Sequence, residues 1–157
     1  MAKWGKCDYL QLKAFAQAFD KLSGAEMDAL CVACSKALAG RLLALVIPAT
    51  PVGKYPKSSG KKGGTLRRGW GAKSSSTAEG YAESLTVTKS GNAYTVEIIN
   101  PVEYASYVEF GHRTVNGGWV EGQHMLTFSE ERLKKVAPSV LERMVLEKLK
   151  EVCNGGN

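Results

Sequence analysis

The sequence predicts an α+β fold, with long N-terminal helices and a C-terminal helix packed on a small antiparallel sheet. Three observations carry this. Apolar residues recur at helical spacing before Pro48 and again towards the C-terminus; between them the period falls to two; and glycine-rich stretches divide these segments. The 157 residues make one domain's worth of chain, enough for one core, so a single domain over 1–157 with two long mobile loops is expected.

A first helix is expected over residues 9–22, capped by Asp8, with Leu12, Phe15, Ala16, Phe19 and Leu22 on one face. Ser23-Gly-Ala-Glu26 is a capping box that opens a second helix. Its stripe is Met27, Leu30, Cys31, Cys34, Leu38, Leu42 and Leu45, and Pro48 should end it by breaking the hydrogen-bond ladder. Helical sequence thus covers 8–47. The basic Gly/Lys loop, 53–64, follows. Residues 65–110 hold the sheet and a short helix. Leu66-Arg-Arg-Gly-Trp70 should start a strand with Trp70 inward. Residues 85–88 and 94–99 alternate around Ser90-Gly-Asn, a hairpin turn that calls for positive φ. Asn100-Pro101 closes the hairpin and opens a helical turn over 102–110, with Tyr104, Tyr107 and Val108 facing inward. A second loop, 111–123, has only Trp119 and Val120 as apolar anchors. The C-terminal helix lies in 124–152, with Leu133, Val136, Val140, Leu141, Met144, Val145, Leu149 and Val152 on its apolar face. Pro138 should kink or divide it.

Composition removes several classes. At 44% hydrophobic and 23% charged, the chain matches neither disordered nor fibrous proteins. The most apolar run, 37–47, is broken by Arg41 and falls short of the ~20 residues a membrane span needs. The amphipathic stretch that follows Met1-Ala-Lys-Trp-Gly-Lys leads us to expect no secretory signal. Cys7, Cys31, Cys34 and Cys153 are unevenly spaced, which argues against a disulfide framework and for a reducing cytoplasm.

The net charge of +6 is unevenly placed. No acidic residue lies between Asp28 and Glu79, where Lys36, Arg41, Lys54, Lys57, Lys61, Lys62, Arg67, Arg68 and Lys73 all fall. The rest of the chain is left at −3. A segment so rich in Lys, Gly and Ser cannot bury apolar surface, so it is expected to be mobile. It has three readings: a solvated loop, a phosphate-contacting arm on DNA or RNA, or an arm that orders on an acidic neighbouring subunit. Only Tyr55 and Trp70 border it for stacking.

Little else carries chemistry. Cys31-Val-Ala-Cys34 has redox or zinc spacing, but both thiols lie in mid-helix on the apolar stripe, the setting of packed cysteines. His112 and His124, with Glu109 and Glu121, sketch an acid/base or metal site without ligand spacing such as HxxxH. Gly60 to Thr65 lacks P-loop register, and no nucleophile elbow is present. No catalytic, cofactor or metal residue is assigned. A small enzyme at the His112/Glu109 turn is the weakest alternative, after a nucleic-acid-binding module using 54–73.

Three motifs resemble a known family. Thr50-Pro-Val-Gly53, Gly64-Thr-Leu-Arg-Arg-Gly-Trp70 and Asn100-Pro-Val-Glu-Tyr-Ala-Ser-Tyr-Val-Glu-Phe-Gly-His-Arg113 are similar to the tail-component family of tailed bacteriophages, which includes head–tail joining and tail-completion proteins. The match covers about 24–152. The insert over 54–63 and Gly118-Trp-Val-Glu-Gly122 resemble versions from Gram-positive prophages and phage-tail-like particles. Many relatives run from Thr-Pro almost directly into Asp-Thr-Gly-x-Leu-Arg. This chain has the basic insert and no acidic residue there, so its contacts do not transfer from shorter members. The resemblance implies a non-enzymatic virion protein, assembled in the host cytoplasm without a membrane. It implies a ring, commonly a hexamer, that ends tail-tube polymerisation. Tube protein, possibly sheath, and a head-side connector or neck protein are the implied partners. Lys54, Lys57, Lys61, Lys62, Arg67, Arg68 and Lys73 become candidates for subunit or lumenal DNA contact. Glu103, Tyr104, Tyr107, Glu109, Gly111, His112 and Arg113 form the motif turn, where Glu103 and Glu109 are acidic partners for Arg67 and Arg68.

Overall fold

The computed structural model describes residues 16–17, 19–71 and 78–154. Their order is α1 (Gly24–Ala49), a 3-10 turn (Lys57–Ser59), α2 (Thr65–Gly69), α3 (Ala78–Ser84), β1 (Val87–Ser90), β2 (Ala93–Val96), α4 (Ala105–Phe110), β3 (Gly111–Arg113), β4 (Trp119–Glu121) and α5 (Met125–Asn154). This is the expected α+β class, with two antiparallel two-stranded sheets, β1–β2 and β3–β4. The chain divides into two compact units, Met1–Cys34 with Ser139–Asn157, and Ser35–Pro138.

In the first unit, most of the helix expected over 9–22 lies outside the described residues; Ala16, Gln17 and residues 19–21 are helical. The capping box forms as expected. The Ser23 N–H donates to Glu26 Oε2 at 2.9 Å, and the Glu26 N–H donates to Ser23 Oγ at 3.2 Å. The Ser23 amide and hydroxyl together hold the Glu26 carboxyl below its ordinary range. Cys31 and Cys34 are half-buried on α1, and burial, helped by Cys31, pushes the Cys34 thiol up. That is the opposite of a reactive thiolate. From residue 139 on, α5 buries Val140 and Leu149.

In the second unit, Ala39, Leu43 and Val46 of α1 pack with Leu66, Trp70, Ala82 and Met125. The buried face is one residue round from the expected stripe: Leu38, Leu42 and Leu45 are only half-buried. This stretch of α1 is apolar on nearly every side, so periodicity could not fix its inner face. Gly40 is buried against α3, where a β-carbon would meet Ala82 and Glu79 at ordinary contact distance. The helix also continues upstream of residue 37. By length and composition it is apolar enough to cross a membrane, contrary to the reading of 37–47 alone. From Ser35 onward, Ala39, Leu43 and Val46 of this helix are buried in a protein core.

Four further differences have physical causes. Residues 65–69 form a helix instead of a strand, because Leu66 and Trp70, four apart, fit either period. Helix α3 was not anticipated, although Ala78, Tyr81, Ala82 and Leu85 have helical spacing. The expected loop 111–123 contains a hairpin pairing His112 with Val120. Of the two outcomes expected at Pro138, a kink or a division, the division does not occur: α5 is one helix with Pro138 exposed inside it, since a missing amide on a solvated face leaves only one carbonyl to water. The first hairpin forms as expected: Ser90 pairs with Ala93 across a two-residue loop, with Gly91 at φ 58°.

Candidate functional site

Thr50 is the hub of the second unit. Its hydroxyl is fully buried, donates to the Val46 carbonyl at 2.7 Å and accepts from Trp70 Nε1 at 2.7 Å. Its carbonyl accepts Arg67 Nε at 3.1 Å and Nη2 at 2.7 Å, and the same Nη2 reaches the Pro48 carbonyl at 3.3 Å. Pro48 sits in the last turn of α1 and Thr50 just beyond it, where carbonyls lack helical partners and a cation offsets the negative end of the dipole. Arg67 therefore caps α1. Asn100 completes the junction: its Nδ2 donates to the Leu66 carbonyl at 2.9 Å and its Oδ1 accepts the Val102 amide at 3.2 Å. A β-carbon on Gly69 would strike Asn100 Oδ1, which explains a glycine between Arg68 and Trp70.

Glu109 does the converse at α5. Only 4% exposed, it accepts the amides of Leu126 and Thr127, each at 2.9 Å, and the Thr127 hydroxyl at 2.7 Å. Desolvation pushes its carboxyl up, but these three donors and nearby His124 outweigh it and hold the group below the ordinary range. A carboxylate from a distant helix thus caps the positive end of α5. The backbone binds the same place: Gln123 N–H donates to the Val108 carbonyl at 2.8 Å and His124 N–H to the Glu109 carbonyl at 3.1 Å. A β-carbon on Gly122 would collide with the Glu109 carbonyl, and Gly111 takes φ 84°.

The predicted site residues thus separate. Arg67 and Glu109 are used inside the chain and are not partnered with each other. Arg68 is exposed, with Nη1 on the Gly63 carbonyl at 3.2 Å. Lys54, Lys57, Lys61 and Lys62 are exposed, with no carboxylate partner among the described residues. Lys73 lies outside the described residues. Glu103 and Arg113 are exposed. His112 is half-buried with its ring 5.6 Å from that of Tyr107, and its Nδ1 is buried without a hydrogen-bond partner among the described residues. No cluster of three or more potential metal ligands occurs among the described residues.

Tyr104 and Tyr107 do not face inward as expected. They are 44% and 59% exposed, and Phe110, one turn on, is 64% exposed. Helix α4 buries Glu109 and half-buries Ala105 and Val108, which forces positions 104, 107 and 110 to the outside. Trp119 and Val120 of β4 are exposed as well. Sequence reasoning missed Thr50, Asn100 and Thr127 as anchors and Phe110 as a surface residue. The spacing 104–107–110 was the available signal.

Arg67 and Glu109 bonded inside the chain, with aromatic side chains exposed on α4 and β4, fit a structural subunit that meets other proteins. Residues 13–111 match the family model described as "Bacteriophage HK97-gp10, putative tail-component". The match spans more than half of the chain, which belongs to this HK97-gp10-like family and is a structural bacteriophage tail component, found in the virion with other virion proteins. No curated protein and no solved structure matches the chain.

Proposed function

We propose that the protein is a tail terminator or head–tail joining subunit, a non-enzymatic component of a ring, most simply a hexamer, at the top of the tail. It would cap the tube, beside any sheath, and present a surface to the head-side connector or neck protein. The observation that carries this reading is the outward aromatic face of α4, Tyr104, Tyr107 and Phe110. A soluble subunit gains by covering such a face with a neighbour. The experiment is deletion of the gene in a producing lysogen, followed by electron microscopy. Full heads with separate or overlong tails are expected. Normal joined particles would sink the proposal.

A second reading has its own support. The four exposed lysines of the insert have no carboxylate partner among the described residues, so they suit sequence-independent contact with DNA passing through the lumen. Lys61→Glu with Lys62→Glu should then abolish salt-sensitive retention on DNA, and unchanged retention removes that reading.

A further inference from the structure

We infer that the basic loop and the tyrosines beside it seat in an acidic-rimmed apolar groove of a second copy of this chain, head to tail. The inference rests on the ring reading and names the contact that closes the ring.

The donor surface combines charge and apolar area. The base of the insert meets α4 around a cleft of about 270 Å³ lined by Val52, Tyr55, Lys62, Tyr104 and Val108. Tyr55 is 51% exposed, so it and Tyr104 stand in solvent next to lysines with no counter-charge among the described residues.

The acceptor surface lies elsewhere on the same unit, and no residue lines both clefts. A groove of about 400 Å³ runs between α1, the end of β2 and the first turns of α5. Leu38, Leu42, Ile98, Leu126 and Leu133 line it, with the exposed Glu130 on its rim. Glu97 lines an adjoining cleft that shares Thr95 and Val96 with the groove. Neither glutamate has an ion-pair partner among the described residues. Lys89, the base seen against this wall, is held over the Tyr94 ring at 5.6 Å.

The donor surface thus joins apolar side chains to lysines, and the acceptor groove joins apolar side chains to Glu130 and Glu97, with Lys89 engaged on the Tyr94 ring beside them. Phosphates would neutralise the lysines but leave Tyr55 and Tyr104 wet; the groove answers both needs. Contact between two different surfaces of one chain leaves an open end on every copy until the assembly closes on itself, which is how rings form.

The test uses the full chain. Isotopically light and heavy copies are mixed in equal amounts and treated with a zero-length carbodiimide, which joins amines to carboxylates only when they touch. Mixed-isotope cross-links from Lys61 or Lys62 to Glu130 are expected. Lys61→Glu with Lys62→Glu, and separately Glu130→Lys, should each weaken self-association roughly tenfold or more. Mixing the two variants should restore it, since each supplies the charge the other lacks. Circular dichroism confirms that both variants fold. The inference is overturned by three results: no mixed-isotope link to Glu130, association indifferent to both reversals, or reversals that abolish DNA retention while self-association persists. Light scattering separates the two levels. A ring without the Lys–Glu contact sinks the inference alone. A chain that stays monomeric even on tube ends sinks the ring reading, and the cross-links still decide the pairing.

Discussion

Arg67 and Glu109 sit in the motifs that define the family resemblance, whereas Lys54, Lys57, Lys61 and Lys62 sit in the insert that departs from it. The two sets of charges are used in opposite ways. Arg67 holds the last carbonyls of α1, and Glu109 holds the first amides of α5. The lysines have no such duty and stand in solvent. Arg67 and Glu109 are thus structural, completing helix ends that cannot complete themselves. Insert charge is free to vary with whatever it meets. A short motif rich in charge need not be a binding motif.

Substitutions on either side of that divide should separate stability from assembly. The largest effect is expected at Gly122. Gly122→Ala places a β-carbon on the Glu109 carbonyl and the Phe110 backbone, with no flexible atom to give way. A loss of about 3 kcal/mol or more in urea unfolding is expected. A neutral result would show that α4 and the return from β4 are not tightly joined.

Glu109→Ala removes three hydrogen bonds to a charged acceptor at a part-buried helix end and should cost about 3 kcal/mol. Glu109→Gln, which keeps one acceptor oxygen and loses the charge, should cost less. Because the folded carboxyl is held below its usual value of 4.5, its contribution is complete above that value. It is lost as pH falls through the usual range and then through the lowered folded value. Unfolding midpoints measured from neutral pH downward should show this acid-side loss in the native chain and less of it in Glu109→Gln. Equal slopes would remove the cap from the account of acid stability.

Arg67→Ala frees the Thr50 and Pro48 carbonyls to water and should cost about 2 kcal/mol. Arg67→Lys should recover only part, because an ammonium cannot reproduce the two-nitrogen grip on one carbonyl.

The smallest stability effect should come from the surface. Tyr107→Ser is expected to change unfolding by less than about 0.5 kcal/mol while lowering incorporation into particles in a complementation assay. A large stability loss with normal incorporation would reverse the comparison.

Much of the frame was legible beforehand because it depended on local chemistry. Ser23 and Glu26 announce a helix start by their spacing, and Ser90-Gly-Asn announces a hairpin turn by residues that accept positive φ. The sites were less legible because they depend on which side of a short element turns inward. Five residues around Leu66 and Trp70 cannot distinguish period two from period 3.6, since a separation of four suits both. Tyr104 and Tyr107 share a face, but only the demand of α5 for Glu109 decides that this face is outward. An acid chosen as a helix cap from 17 residues away leaves no local trace in its own segment.

The insert leaves and re-enters the fold through a narrow neck: Gly63 lies so close to the Gly53 carbonyl that a β-carbon there would collide with it. Such a neck makes the nine residues between them an exchangeable cassette. The segment can be lengthened, recharged or replaced without refolding the protein, so an epitope or a fluorophore spliced there would mark the chain while its fold stays intact.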